Sequence, residues 1–327
     1  MGPSYPSNKT NARVKEYVSF IFKVFPHNFS EYRKIRMLND GRIICFDYLV
    51  KEIKLYKQIE NEFMLDLEFS LVSQDLGHLG PTSMCEIEKG LILFGAFKSL
   101  DLFEIKNNKI EKLQKIDLNV DSYVRQIIKF SNGLIATYNI QDITIYKFDK
   151  ENKKLEKVKD MDINGEKIGI WENNDNFYVI TEQEIILYDI NLNIIHKIKF
   201  PEKYGKWRKL FFFYFIDQYL LLMYQTETNS LQNKFSLDII TLKSFTVENT
   251  IELKDRMDSC VKLRDGVIVS ADEVGNIHQF EINEKSQITE KDVFRGSEYK
   301  IYDLAKYDDN HILSIGLDGN VKLWKID

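Results

Sequence analysis

A chain of 327 residues is long enough for two ordinary domains or for one large repeat architecture. Hydrophobic residues make up 44% and charged residues 29%, the balance of a globular rather than a disordered chain. A net charge of −5 argues against a dedicated nucleic-acid binder, whose affinity rests on surplus Lys and Arg, and three distant cysteines without a C-x-x-C pair exclude a readable disulfide framework or thiolate metal site.

In chain order, residues 1–13 read as a flexible N-terminal segment. Nothing in MGPSYPSNKTNAR resembles the apolar core of a secretory signal, which predicts a cytoplasmic protein, with cytoskeletal or nuclear association left open. The next segment, YVSFIFKVF (17–25), is rich in β-branched and aromatic residues and reads as a strand. From there a six-residue pattern, aliphatic-x-aliphatic-aromatic-x-apolar, recurs seven times: IKLYKQ, LDLFEI, ITIYKF, IILYDI, LDIITL, IHQFEI and VKLWKI. Its fourth positions are Tyr56, Phe103, Tyr146, Tyr188, Ile240, Phe280 and Trp324, spaced by 47, 43, 42, 52, 40 and 44 residues. A period near 45 is that of a repeat architecture, and the aromatic positions are the expected structural core of each unit.

Each copy follows an apolar-alternating segment, a turn and a dense aliphatic run, as in RMLNDGRIICF, CEIEKGLILFG and VKLRDGVIVSA. Asp-Gly, Lys-Gly and Asn-Gly pairs between β-rich runs are hairpin turns, because Gly and Asn tolerate the positive φ that tight hairpins require. A more polar fourth strand, such as KIEKLQKIDL (109–118) or KLEKVKDMDI (154–163), completes the unit. The run LFFFYFIDQYLLLMY (210–224) is too short to cross a bilayer as a helix and carries Asp217 at its middle, so it reads as two buried strands joined by an Asp217-Gln218 turn. Four strands repeated seven times predict an all-β, seven-bladed propeller of antiparallel blades. One domain, 14–327, is expected, with the strand at 17–25 completing the last blade, whose own fourth strand is missing, and so removing an open sheet edge.

The last unit, ILSIGLDGNVKLWKI (312–326), resembles the WD-repeat family, with Asp318 at its b–c turn aspartate, Ser314 at its strand-b hydroxyl and Trp324 at its strand-c tryptophan. The family's Gly-His is matched at Gly77-His78 before the second unit and replaced by Gly296-Ser297 before the last, and no unit carries the full Asp, His, Ser and Trp set. The resemblance spans 14–327 and implies the same propeller; a fold alone does not imply an activity.

The chain contains no phosphate-binding glycine loop, nucleophile elbow or H-E-x-x-H motif, so no catalytic residue, metal or cofactor is assigned. Two departures from the repeat stand out. Residues 196–209, HKIKFPEKYGKWRK, hold six Lys or Arg against Glu202 alone, and 225–234, QTETNSLQNK, lengthen the b–c loop of the fifth unit. Connections between blades and b–c loops share one face, so both departures should meet there. Tyr204, Lys206, Trp207, Arg208 and Lys209 are the candidate partner-binding residues, aromatic anchors beside cations suited to acidic or phosphorylated peptides. The sequence thus reads as a non-enzymatic interaction platform or scaffold subunit with protein partners. The alternatives are a hydrolase-like enzyme using the channel mouth, or RNA or anionic-lipid binding through 196–209.

Overall fold

The computed structural model describes residues 18–23, 33–47, 52–60, 62–70, 80–106, 109–118, 122–139, 142–161, 167–173, 176–181, 184–189, 191–200, 210–226 and 234–327. All regular structure in them is β. Blade 1 comprises β2 (Arg33–Met37), β3 (Ile43–Asp47), β4 (Glu52–Ile59) and β5 (Glu62–Ser70). Blade 2 comprises β6 (Ser83–Glu88), β7 (Leu91–Ala96), β8 (Ser99–Lys106) and β9 (Lys109–Asp117). Blade 3 holds β10 (Gln126–Lys129), β11 (Leu134–Tyr138), β12 (Ile143–Asp149) and β13 (Lys154–Met161); blade 4 holds β14 (Lys167–Asn173), β15 (Asn176–Thr181), β16 (Glu184–Asp189) and β17 (Ile194–Lys199). Blade 5 is β18 (Leu210–Ile216), β19 (Tyr219–Thr226), β20 (Lys234–Thr241) and β21 (Val247–Leu253); blade 6 is β22 (Met257–Arg264), β23 (Val267–Asp272), β24 (Asn276–Ile282) and β25 (Ile288–Arg295). Blade 7 takes β26 (Ile301–Lys306), β27 (His311–Gly316) and β28 (Asn320–Lys325) from the end of the chain and β1 (Val18–Lys23) from its beginning. The result is a seven-bladed propeller closed by an N-terminal strand, each blade running a, b, c, d from the channel to the rim.

The sequence pattern explains the layering. Blades stack face to face, so the middle strands are covered on both sides and read as dense apolar runs: β3 and β7 are buried at every position, with Asp47 at the end of β3 the one charge between them. Inner and outer strands alternate instead, as in β22, where every second residue is buried, and β21, where exposed residues alternate with half-buried ones. The a–b turns use glycine where φ must be positive, at Gly41, Gly90, Gly133 and Gly266, and Asp217 takes that place between β18 and β19 with φ of 51°. A side chain at Gly90 would strike the Ile105 carbonyl at 2.8 Å.

Packing among the described residues divides into seven apolar clusters, one per blade interface. Each fourth-position residue lies in the cluster shared with the preceding blade, with Tyr56 beside blade 7, Phe103 beside blade 1, Tyr146 beside blade 2 and Tyr188 beside blade 3. Phe280 and Trp324 repeat this against blades 5 and 6, and Ile240 does so against blade 4. These residues are between 1% and 7% exposed. In all seven blades the c–d pairing slips by one residue just before this position, leaving Ser19, Asp66, Leu113, Val158, Ile195, Glu248 or Lys291 as an extra residue on the outer strand. Each slip is a bulge that bends and twists the rim.

One sequence reading is corrected here. Gln225, Thr226 and Lys234 are not loop: Gln225 pairs with Phe235 and Thr226 with Lys234, which extends the β19–β20 hairpin and narrows the intervening segment to 227–233. Among the described residues no helix is long and apolar enough to cross a membrane.

Candidate functional site

Where the inner strands converge lies a cavity of about 570 Å³, lined from four blades. Blade 1 supplies Lys34, Arg36 and Phe46; blade 2 supplies Thr82, Ser83 and Met84; blade 3 supplies Arg125 through Ile128 and Tyr138; blade 4 supplies Trp171 and Glu172. Because inner strands all run the same way, Lys34, Ser83 and Arg125 lie toward the ends where β2, β6 and β10 begin, the face also reached by the end of β17, the start of β18 and the β19–β20 loop.

Most polar groups around this cavity are committed to holding blades together. Thr82 and Ser83 hydroxyls both donate to the Val124 carbonyl, at 2.7 and 2.6 Å. The Gln126 side chain clasps the backbone of Ile170, donating to its carbonyl and accepting its N–H at 3.0 Å each. Glu172 Oε1 accepts the Ser131 N–H at 2.6 Å. Asp303 of blade 7, 4% exposed, is a hub: it accepts the Ile35 N–H at 3.1 Å and the Ser259 hydroxyl at 3.1 Å, and it faces Arg36 and, at 3.7 Å, Lys34. Beside it Arg33, 1% exposed, pairs with Asp47 at 2.9 Å and donates to the Gly316 and Leu317 carbonyls at 2.8 Å, tying blade 1 to blade 7. A charge removed so completely from water persists only when its donors are satisfied in this way.

The groups left facing the cavity are cationic and aromatic. Arg125 is exposed and makes no ion pair among the described residues. Trp171 stacks on Phe215 with centroids 5.7 Å apart and planes 10° apart, and leans on Tyr214 at 5.4 Å. Burial and the neighbouring Cys260 push the Tyr214 hydroxyl up to about 12, so it stays neutral and accepts the Lys262 N–H at 3.1 Å. Burial likewise raises all three thiols, Cys85 to about 11 and Cys45 and Cys260 further, which keeps them protonated and unreactive. Among the described residues no group of three His, Cys, Asp or Glu side chains could hold a metal ion.

The candidate partner residues Tyr204, Lys206, Trp207, Arg208 and Lys209 lie outside the described residues, as do Gly77, His78 and 227–233. The residues carrying the WD-repeat resemblance are described: Trp324 donates its indole N–H to Ser314 Oγ at 2.8 Å, and Asp318 accepts the Asn320 N–H at 3.1 Å and faces Lys322 at 3.3 Å. Ser297, standing where the family has His, caps the Tyr299 N–H at 3.1 Å instead. The cavity itself was invisible in the sequence, because Lys34, Arg36, Arg125 and Trp171 come from three units with no local spacing to connect them.

No family model matches the sequence, and no curated protein matches it. Solved structures do. A chain in the crystal structure of the mitotic checkpoint complex superposes with a TM-score of 0.72 at 9% identity, covering 100% of this chain and 97% of that one. The WD40 β-propeller domain of Doa1 superposes at 0.67 with 14% identity, covering 95% and 97%. With the seven four-stranded blades, these likenesses establish the fold as a WD-repeat-like seven-bladed β-propeller.

Proposed function

We propose that this propeller is a non-enzymatic interaction platform, a scaffold subunit of an intracellular, cytoplasmic assembly, and that it docks acidic or phosphorylated peptide segments on the face where its inner strands begin. The observation that carries this reading is the division of labour in the channel cavity. The Glu172 carboxylate, the Gln126 amide and the Thr82 and Ser83 hydroxyls are taken up by contacts between blades, and Lys34 reaches Asp303, while Arg125 and Trp171 face the space. A general base or nucleophile would have to be drawn largely from groups already engaged, whereas an anionic side chain with an apolar neighbour would meet Arg125, which makes no ion pair among the described residues, and an indole. The connection holding Tyr204, Lys206, Trp207, Arg208 and Lys209 leaves β17 and enters β18 on this face, so its basic charge would extend the same surface. One structural neighbour belongs to a multi-protein complex, which supports an assembly role.

Affinity purification from the native cell with mass spectrometry identifies the partner; titration of its acidic segment against Arg125→Glu and against Trp207→Ala with Arg208→Glu then tests the site. Each variant is expected to lose at least tenfold in affinity with an unchanged melting temperature. Wild-type affinity in both places the contact elsewhere on the ring.

A further inference from the structure

Two outer strands differ from the rest in opposite ways. β17 buries none of its six residues, exposes Ile194 and Ile195 at 50% and 51%, and carries His196, Lys197 and Lys199 with no carboxylate. β5, with the turn before it, exposes Met64 and Leu65 at 49% and 50% and carries Glu60, Glu62, Asp66 and Glu68 with no cation. Of the remaining outer strands, β9, β13 and β25 mix both signs, β21 carries acids without an adjacent exposed apolar pair, and β1 carries a single charge, Lys23. Both β5 and β17 end the hydrogen-bonded order of their sheets, so each presents a strand edge to the outside.

We infer that the β17 edge of one copy of this chain docks antiparallel on the β5 edge of a second copy, joining propellers head to tail. The register is defined by the residues themselves. Setting Met64 opposite Ile195 also sets Leu65 opposite Ile194 and Glu62 opposite Lys197, so two apolar contacts and one opposite-charge contact coincide in one alignment, with Glu60, on the β4–β5 turn just beyond the start of β5, left at the Lys199 end of the pair. The charges on this line are available. Glu60, Glu62 and Lys199 make no ion pair among the described residues, and Lys197, half exposed, reaches Glu184 only at 3.5 Å. Asp66, by contrast, is spent within its own blade on Lys57 at 2.8 Å and Arg42 at 3.1 Å, and it lies outside the paired segment.

Charge also disfavours the symmetric arrangements. β17 against β17 gathers lysines without a carboxylate, and β5 against β5 gathers carboxylates without a cation, so only the mixed pairing of these two edges supplies opposite charges. Blades 1 and 4 stand three blades apart in a ring of seven, so a single second copy cannot satisfy both edges of the first, and the contact propagates. The contact is small and charged, which makes it weak, concentration-dependent and sensitive to salt.

The test is sedimentation velocity of the full chain from micromolar to several hundred micromolar protein at low salt. The wild type should show a weight-average mass that rises with concentration and falls back to that of a monomer at high salt. Lys197→Glu with Lys199→Glu, and separately Glu60→Lys with Glu62→Lys, should each remain monomeric, since both edges of a variant then carry one sign. An equimolar mixture of the two variants pairs opposite edges at every contact and should restore association, a rescue that misfolding cannot imitate. A wild type that stays monomeric throughout, variants that associate like the wild type, or a mixture that stays monomeric would each overturn the inference.

Discussion

Trp324 combines three roles in one side chain. Its indole N–H is held by Ser314, its ring leans on Phe294 with centroids 5.5 Å apart, and it fills the cluster between blades 6 and 7 at 3% exposure. Trp324→Ala is expected to cost about 3 to 5 kcal/mol, as removal of a large aromatic from a packed interior does, measured by denaturant unfolding. A second residue gives blade 6 a pH signature. Burial opposes a charge on His278, yet hydrogen bonds to Asp272 at 3.0 Å and Glu290 at 2.7 Å overcome it and hold its pKa above the ordinary value. Asp272, against the opposing pull of its own burial, is held below the carboxylate range by His278 and the Asn276 amides. A raised histidine stabilises the fold fully below its unfolded pKa of about 6.5 and loses that contribution as pH climbs through the folded value; a lowered Asp loses its share only in acid, below about 3.9. The melting-temperature gap between wild type and His278→Gln should therefore be widest near pH 5 to 6 and shrink toward pH 9.

At the scale of the strand, the repeated bulge is the least intuitive feature. The extra outer-strand residue is Asp, Leu, Val, Ile, Glu, Lys or Ser in different blades, so its chemistry is irrelevant and its presence is what matters. Val158 illustrates this: it is 50% exposed, and Val158→Ser should leave stability within about 0.5 kcal/mol of wild type. Deleting Val158 should be far more damaging, because a one-residue slip turns the rest of β13, including buried Leu155 or Met161, to the opposite face. Comparing the melting curves of the two variants checks it. These observations show why some elements were readable and others were not. The fourth-position aromatics and the Gly turns were legible because burial and positive φ select residue types. The bulges, and the inner-strand position where Glu86 accepts the Asn39 N–H, Glu172 the Ser131 N–H and Lys262 reaches Asp217, were not, since acid and base serve there equally well. The channel cavity was illegible for a different reason, its residues being adjacent only once the ring is closed.

The molecule as a whole depends on that closure. β1 runs antiparallel to β28 with Phe20 opposite Leu323 and Lys23 opposite Asn320, and Arg33 and Asp303 fasten the first and last blades from the channel side. Deletion of residues 1–25 removes β1 and uncovers the β28 edge, and the product is expected to be insoluble or to lose a cooperative melting transition. Deletion of residues 1–12 should leave the transition unchanged. A well-folded monomer lacking 1–25 would show that closure does not need the strand.

Closure also has a time course. Every other strand pair in the ring joins neighbours in sequence, whereas Phe20 and Leu323 are about 300 residues apart, and bringing such distant ends together costs about 3 kcal/mol more in chain entropy than closing a ten-residue hairpin. Blades can therefore form singly and early, while the last ladder waits for all of them, which makes it the slow step of folding. Moving the β1 sequence to follow β28 through a short turn would keep the native contacts and convert that closure into a local hairpin. The rearranged chain should reach the same ring sooner, with the difference confined to its refolding rate.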